Sequence, residues 1–276
     1  MRLGTQIYGN IPNINSGLEK FDKYEPYMYE NMEFNDDGKS IINLPKNSLL
    51  LNSTSDIEIN DLPNTIEFLY LDNYKVKTPV IKWPENLFAI ILSYSYSYNS
   101  SDWMFMYNYN SSDWMFIINQ LPITLKCICI CISDNKISNY AINWPPNLEV
   151  VFLSGCNASS ETISRLPESI KLLDISIFRV DKTAKYDTYF DNLPTQLEIL
   201  KIHLWGHTNA KYFTSINNLP DSIQYLSLYW FDYDILKFPS NLQYLELGAA
   251  NKFAANIVEN IKTHKKPEEI VIDIVC

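Results

Sequence analysis

Glycine is scarce in this chain, 7 of 276 residues, and neither a G-x-G-x-x-G loop nor a P-loop is present. The metalloprotease helix H-E-x-x-H and the hydrolase elbow G-x-S-x-G are missing too. Basic residues number 22 against 32 acidic ones, a net charge of −10, and their one cluster is Lys262, Lys265 and Lys266. A nucleic-acid backbone demands a basic surface, so the composition argues against nucleic acid as a partner. No apolar run approaches the roughly 18 residues of a membrane span. The opening stretch MRLGTQIYGNIPNINSG lacks the apolar core of a secretion signal. Five cysteines, an odd number without framework spacing, suit a reducing compartment. The expectation is a cytoplasmic protein without membrane attachment, metal or cofactor.

What the chain has instead is a repeat. LPNTIEFLYL begins at Leu62, WPENLFAIIL at Trp83, LPITLKCICI at Leu121 and WPPNLEVVFL at Trp144. LPESIKLLDI follows at Leu166, LPTQLEILKI at Leu193, LPDSIQYLSL at Leu219 and FPSNLQYLEL at Phe238. One template covers all eight: apolar, Pro, two mostly polar residues, then apolar at three, six and eight past the Pro. Two imperfect copies flank them, as the ends of an array require. LPKNSLLLNS at Leu44 carries its apolar run one residue late, and KPEEIVIDIV at Lys266 alternates in a shifted register. From Pro45 to Pro267 the template prolines stand 18, 21, 38, 23, 22, 27, 26, 19 and 28 residues apart. The outlier contains YNSSDWMF twice, at Tyr98–Phe105 and Tyr109–Phe116, a loop duplication of period 11.

Proline restricts its predecessor to an extended shape and leads the chain into a short strand. Residues six and eight past it then share one strand face, and those five, seven and nine past it share the other. A lone strand cannot bury its apolar face, whereas parallel neighbours about 4.8 Å apart can.

Apolar positions spaced L-x-x-L-x-L at this period resemble leucine-rich repeats. The Leu-Pro lead-in resembles the FNIP repeats of amoebae and giant viruses, and is similar to the LPX repeats of bacterial type III effectors. The resemblance runs from about Leu44 to Val275. It implies an α/β repeat solenoid, a leucine-rich-repeat horseshoe. Its concave sheet is parallel, its convex side mostly irregular, and a helix and a strand cap its C-terminal end. Residues 1–43 form an N-terminal cap, 44–247 the repeats with the duplicated loop at 98–116, and 248–276 the C-terminal cap. In that cap Phe253, Ile257, Val258 and Ile261 recur at helical spacing behind Asn251, and Ile270, Ile272 and Ile274 alternate as a strand. Eleven past the Pro, where leucine-rich repeats carry Asn or Cys, stand Tyr74, Ser95, Ser133, Cys156, Phe178, Trp205, Phe231 and Ala250. Only Cys156 conforms, so no continuous asparagine ladder is expected.

In such solenoids the second strand face lines the concave surface. Five past the Pro it carries Phe68, Ala89, Cys127, Val150, Leu172, Ile199, Tyr225 and Tyr244, an unbroken apolar or aromatic column. If exposed, such a stripe marks an interface; covered by a cap or loop, it is core. Seven and nine past, the residues turn from apolar in the middle to polar at the C-terminal end, a groove suited to a protein segment. The residues expected to bind a partner are Phe68, Tyr70, Phe152, Asp174, Lys201, His203, Tyr225, Tyr229 and Tyr244. The function expected is a non-enzymatic scaffold for an intracellular protein, in the host or the ubiquitin pathway by resemblance. The alternative is a self-associating structural or virion component.

Two chemical readings fare worse, and one loop feature is left open. Cys127, Cys129 and Cys131 share a face, but alternate strand residues stand about 6.6 Å apart and structural zinc takes four ligands. Ser176 and His203 are expected side by side with Asp174 nearby, yet Asp174 falls beside Ser176 and not behind His203, and no oxyanion loop accompanies them. The triads Trp103–Phe105 and Trp114–Phe116 are either pinned onto the solenoid or offered to a partner.

Overall fold

All eight full copies of the template fold alike. The amide of the apolar residue three past each template proline donates to that proline's carbonyl, from Ile66 to Pro63 through Leu242 to Pro239, at 3.1–3.2 Å in every copy. The two residues between occupy the corner of a β-turn, which is why they are mostly polar. The computed structural model describes residues 33–34, 41–42, 47–52, 55–72, 74, 76–93, 112–131, 142–154, 160–177, 190–204, 218–229, 237–248, 254–264 and 270–275.

After the turn, the amides four and five past one proline donate together to the carbonyl four past the preceding one. Lys126 and Cys127 reach the Phe88 carbonyl in this way at 3.0 and 3.1 Å, and Glu149 and Val150 reach that of Lys126 at 2.9 and 3.1 Å. These forks register each strand against the last. A two-residue pair, β1 (Glu33–Phe34) and β2 (Ile41–Ile42), is antiparallel. The array proper is β3 (Ser48–Asn52), β4 (Phe68–Asp72), β5 (Ala89–Ser93), β6 (Cys127–Cys131) and β7 (Val150–Ser154), then β8 (Leu172–Ile177), β9 (Ile199–Leu204), β10 (Tyr225–Tyr229), β11 (Tyr244–Gly248) and β12 (Val271–Val275). These ten form one sheet in strict chain order, each parallel to its neighbours. The fold is a repeat solenoid built on a parallel sheet.

The template's apolar positions are its core. Residues three, six and eight past each proline, among them Leu69, Ile90, Ile128, Leu173, Leu200 and Leu245, are all between 0% and 9% exposed. Short helices cover this side: α1 (Ser112–Ile118), α2 (Ser160–Ser164) and α3 (Ala254–His264) contribute Ile117, Ile118, Ile163, Ile257, Val258 and Ile261. The helix α1 falls in the second copy of the duplicated loop. There Met115 is buried and Phe116 packs against the core, so these two members of the triad are pinned. The first copy lies outside the described residues.

Where a lead-in carries Trp in place of Leu, the indole N–H bridges to the next coil. Trp83 donates to the Gln120 carbonyl and Trp144 to that of Thr162. A polar ladder also runs between successive turn corners. The Glu85 amide donates to Asn64 Oδ1 at 3.2 Å, Asn147 Nδ2 to the Ile123 carbonyl at 3.0 Å, Thr195 N to Glu168 Oε2 at 2.8 Å and Ser240 N to Asp221 Oδ1 at 2.9 Å. Side-chain rungs thus run through the residues just after the proline rather than eleven past it. Of the latter positions Tyr74 is described, buried with its hydroxyl donating to the Ile57 carbonyl; the other seven lie outside the described residues.

The end strands differ from the middle. Ser48, three past Pro45, pairs with Phe68, five past Pro63, so the first copy enters its strand two residues early rather than one late. Asn47 makes this possible with φ of 61°, a left-handed backbone that Asn tolerates better than most residues. At the other end Val271, four past Pro267, pairs with Tyr244, and this shift keeps Ile270 and Ile272 in the core. Of the residues expected in the C-terminal helix and its cap, Phe253 and Asn251 lie outside the described residues.

Candidate functional site

The parallel register places the columns five, seven and nine past each proline side by side across the second face of the sheet. Over most of its length this face is not open. Phe68 is 0% exposed, Tyr70 1% and Phe152 6%, and Ala89, Ile91, Cys127, Cys129, Val150, Leu172 and Ile199 are buried with them. Together they form a second apolar cluster, with Leu50, Phe88, Cys131 and Tyr225 packed around it. Of the two readings left open for the apolar column, the covered one holds between β4 and β9, and Phe68, Tyr70 and Phe152, expected to bind a partner, are buried there. Leaving such side chains wet costs about 1.5–3 kcal/mol each, and the fold removes them from water. Phe68, Tyr70 and Phe152 are core side chains in this conformation, out of a partner's reach.

Toward the C-terminal end the face opens. Lys201 and His203 on β9, Tyr225 and Tyr229 on β10, and Tyr244 and Glu246 on β11 are all half-buried. The register sets Ser227 directly opposite Glu246 and Lys201. Tyr225 and Tyr229 flank Ser227 on the same strand face, and its small side chain leaves room for both rings to lean toward β11. Tyr225 donates its hydroxyl to Glu246 Oε2, and Tyr229 donates to Oε1 at 2.5 Å. One carboxylate thus orders two phenols.

Ring contacts extend the cluster. Tyr225 stacks on Tyr244 with centroids 4.8 Å apart and planes 7° from parallel. His203 meets Tyr229 edge to face at 4.7 Å, and Lys201 Nζ lies 6.0 Å from the centre of the Tyr225 ring, a cation over an aromatic face. Asp174 is buried on β8 in register with Lys201, and Ser176 pairs with His203. The sheet therefore joins six of the nine expected residues, Asp174, Lys201, His203, Tyr225, Tyr229 and Tyr244, on β8–β11, sets Phe152 in register beside Asp174 on β7, and leaves Phe68 and Tyr70 apart on β4.

Glu246 is the member that reasoning from the sequence left out of the site. It stands diagonally between Tyr225 and Tyr229 once β10 and β11 are aligned, and that cross-strand diagonal is the signal that finds it. Gly248 is the other. A Cβ built there would lie 3.0 Å from Tyr229 Cδ1 and 3.3 Å from its Cα, so glycine lets the Tyr229 ring lie across β11. Gly248→Ala is expected to displace that ring and lower the melting temperature by a few degrees, about 1 kcal/mol. The His203 and Tyr229 ring signals in an NMR spectrum report the displacement.

Burial first, and then the charge and hydrogen bond of Glu246, push the Tyr225 phenol well above its usual range. An unfolded tyrosine ionises near pH 10, roughly. Below that pH the folded and unfolded states both hold the proton and the full stability is present. Above it only the unfolded state releases the proton, so stability falls as pH rises. Alkaline unfolding of Tyr225→Phe, followed by circular dichroism, is expected to fall less steeply above pH 10, roughly, than that of the wild type.

Among the described residues no group of three or more His, Cys, Asp or Glu is arranged to hold a metal ion, and no helix is long and apolar enough to cross a membrane. Compared with known proteins, the chain matches no family model and no curated sequence.

Proposed function

We propose that the protein is a non-enzymatic interaction scaffold that grips a protein segment at the β9–β11 end of its strand face. The gradient of exposure carries this reading. One continuous sheet face is shut where it is apolar and opens where tyrosines, a histidine, a lysine and a carboxylate meet. Tyrosine-rich surfaces with rigid rings and ready hydrogen bonds are what protein interfaces favour. A repeat solenoid is compatible with this role, and the likeness to Leu-Pro repeats adds the expectation of an intracellular partner.

The test is affinity capture from an amoeba lysate, followed by titration of the captured protein against purified variants. Tyr229→Ala/Tyr244→Ala is expected to weaken binding at least about tenfold, the loss of one interface anchor. Ile123→Ser, which removes a side chain 69% exposed on a distant turn, is expected to leave binding unchanged. Equal affinity of the tyrosine variant, or loss with Ile123→Ser alone, would overturn the assignment. A chain that captures only itself, and is a dimer by light scattering at micromolar concentration, would make self-association its function.

A further inference from the structure

Cys127, Cys129 and Cys131 alternate along β6, in the middle of the sheet. Their backbone spacing alone would hold neighbouring sulfurs about 6.6 Å apart. Instead the side chains of Cys129 and Cys131 lean together until their sulfurs are 3.4 Å apart. The three thiols also differ in access. Cys127 and Cys129 are buried, and Cys131, at the end of the strand, is partly exposed. A dissolved reagent thus meets one thiol, with a second in contact behind it.

We propose that Cys131 and Cys129 are a peroxide-reactive dithiol, in which Cys131 is oxidised by a hydroperoxide and Cys129 resolves the product into a disulfide within the strand. In the first step the Cys131 thiolate attacks the outer oxygen of the hydroperoxide. An S–O bond forms, the O–O bond breaks, and the departing alkoxide or hydroxide takes up a proton as alcohol or water. Cys131 is now a sulfenic acid. In the second step the Cys129 sulfur attacks the Cys131 sulfur. The S–S bond forms, the S–O bond breaks, and hydroxide leaves with the Cys129 proton as water. Two thiols and one hydroperoxide give one disulfide, one alcohol or water, and one further water. The thiols lose two electrons and the peroxide gains them.

The order of events follows from the surroundings. The hydrogen bond with Cys131, and then burial, hold the Cys129 thiol well above its ordinary range, so Cys129 keeps its proton and is a poor first nucleophile. Burial does the same to Cys127. Alternate strand residues sit close to the widest Cα separation a disulfide spans, so the bond is readily reduced again, which suits a reversible modification.

The test uses the full chain carrying Cys156→Ser and Cys276→Ser, so that the β6 thiols alone report. After hydrogen peroxide, alkylation under denaturing conditions and tryptic digestion, the peptide 127–136 is expected to have lost about 2 Da and to carry one alkyl group, on Cys127. Mild dithiothreitol is expected to restore three alkylation sites. Cys129→Ser is expected to accumulate a Cys131 sulfenic acid that dimedone traps. Cys131→Ser is expected to resist the same peroxide dose. Cys131 passing to sulfinic acid without the mass loss, no oxidation at all, or a mass loss that survives Cys131→Ser would each overturn the assignment.

Discussion

Phe68→Ala is expected to lower the free energy of unfolding by about 3–5 kcal/mol, the usual cost of emptying a buried aromatic site. The size of the effect discriminates between two accounts of one residue. Phe68 stands five past Pro63, on the strand face opposite the main core, and an exposed docking residue there would cost within about 0.5 kcal/mol on truncation. It has no exposed surface, and it sits among Tyr70, Ala89 and Ile91 in an apolar cluster that runs along the sheet. Urea unfolding with an unchanged slope and a lower midpoint is the expected readout. A variant as stable as the wild type would return the face to solvent.

Glu246→Ala is expected to cost about 1.5–3 kcal/mol and to weaken partner binding together with stability. The carboxylate accepts both the Tyr225 and Tyr229 hydroxyls, so its loss leaves two half-buried phenols to find water. Hydrogen bonds to a charged acceptor are the stronger kind. A double-mutant cycle of Glu246→Ala with Tyr225→Phe is expected to show a coupling of about 0.5–3 kcal/mol, because the two act through one contact. Additive losses would separate them.

The main core could be read from the chain because burial there is periodic. Positions three, six and eight past each proline are Leu, Ile or Val in every full copy, and no other arrangement of a short parallel strand shelters them all. The turn corners were legible for the same reason, as polar pairs after a proline. The second face was not. Phe68, Ala89, Cys127 and Val150 have the same composition whether they wait for a partner or are already covered, and periodicity distinguishes faces rather than exposures. The register of the first strand was misjudged because Asn47 adopts a left-handed backbone that shortens the lead-in, a local choice no pattern of apolar residues encodes, whereas the shifted register of the last strand was legible in its alternating isoleucines. Within the site, Tyr225, Tyr229 and Tyr244 stood out as large residues in a column. Glu246 escaped because its role lies along a diagonal between strands, visible only when the register is known, and Gly248 because its role is to have no side chain. The contact between Cys129 and Cys131 escaped too, since regular strand spacing argues against it and the rotamers bring it about.

Hydroxyl-radical footprinting of the native chain, mapped residue by residue by mass spectrometry, tests the central claim most directly: one sheet face, closed over its apolar stretch and open at its tyrosine-rich end. The account predicts oxidation of Tyr229, Tyr244 and His203, with Phe68, Tyr70 and Phe152 protected until the chain unfolds. Equal labelling of the two groups, or labelling of Phe68 and Tyr70 ahead of Tyr229 and Tyr244, would contradict it.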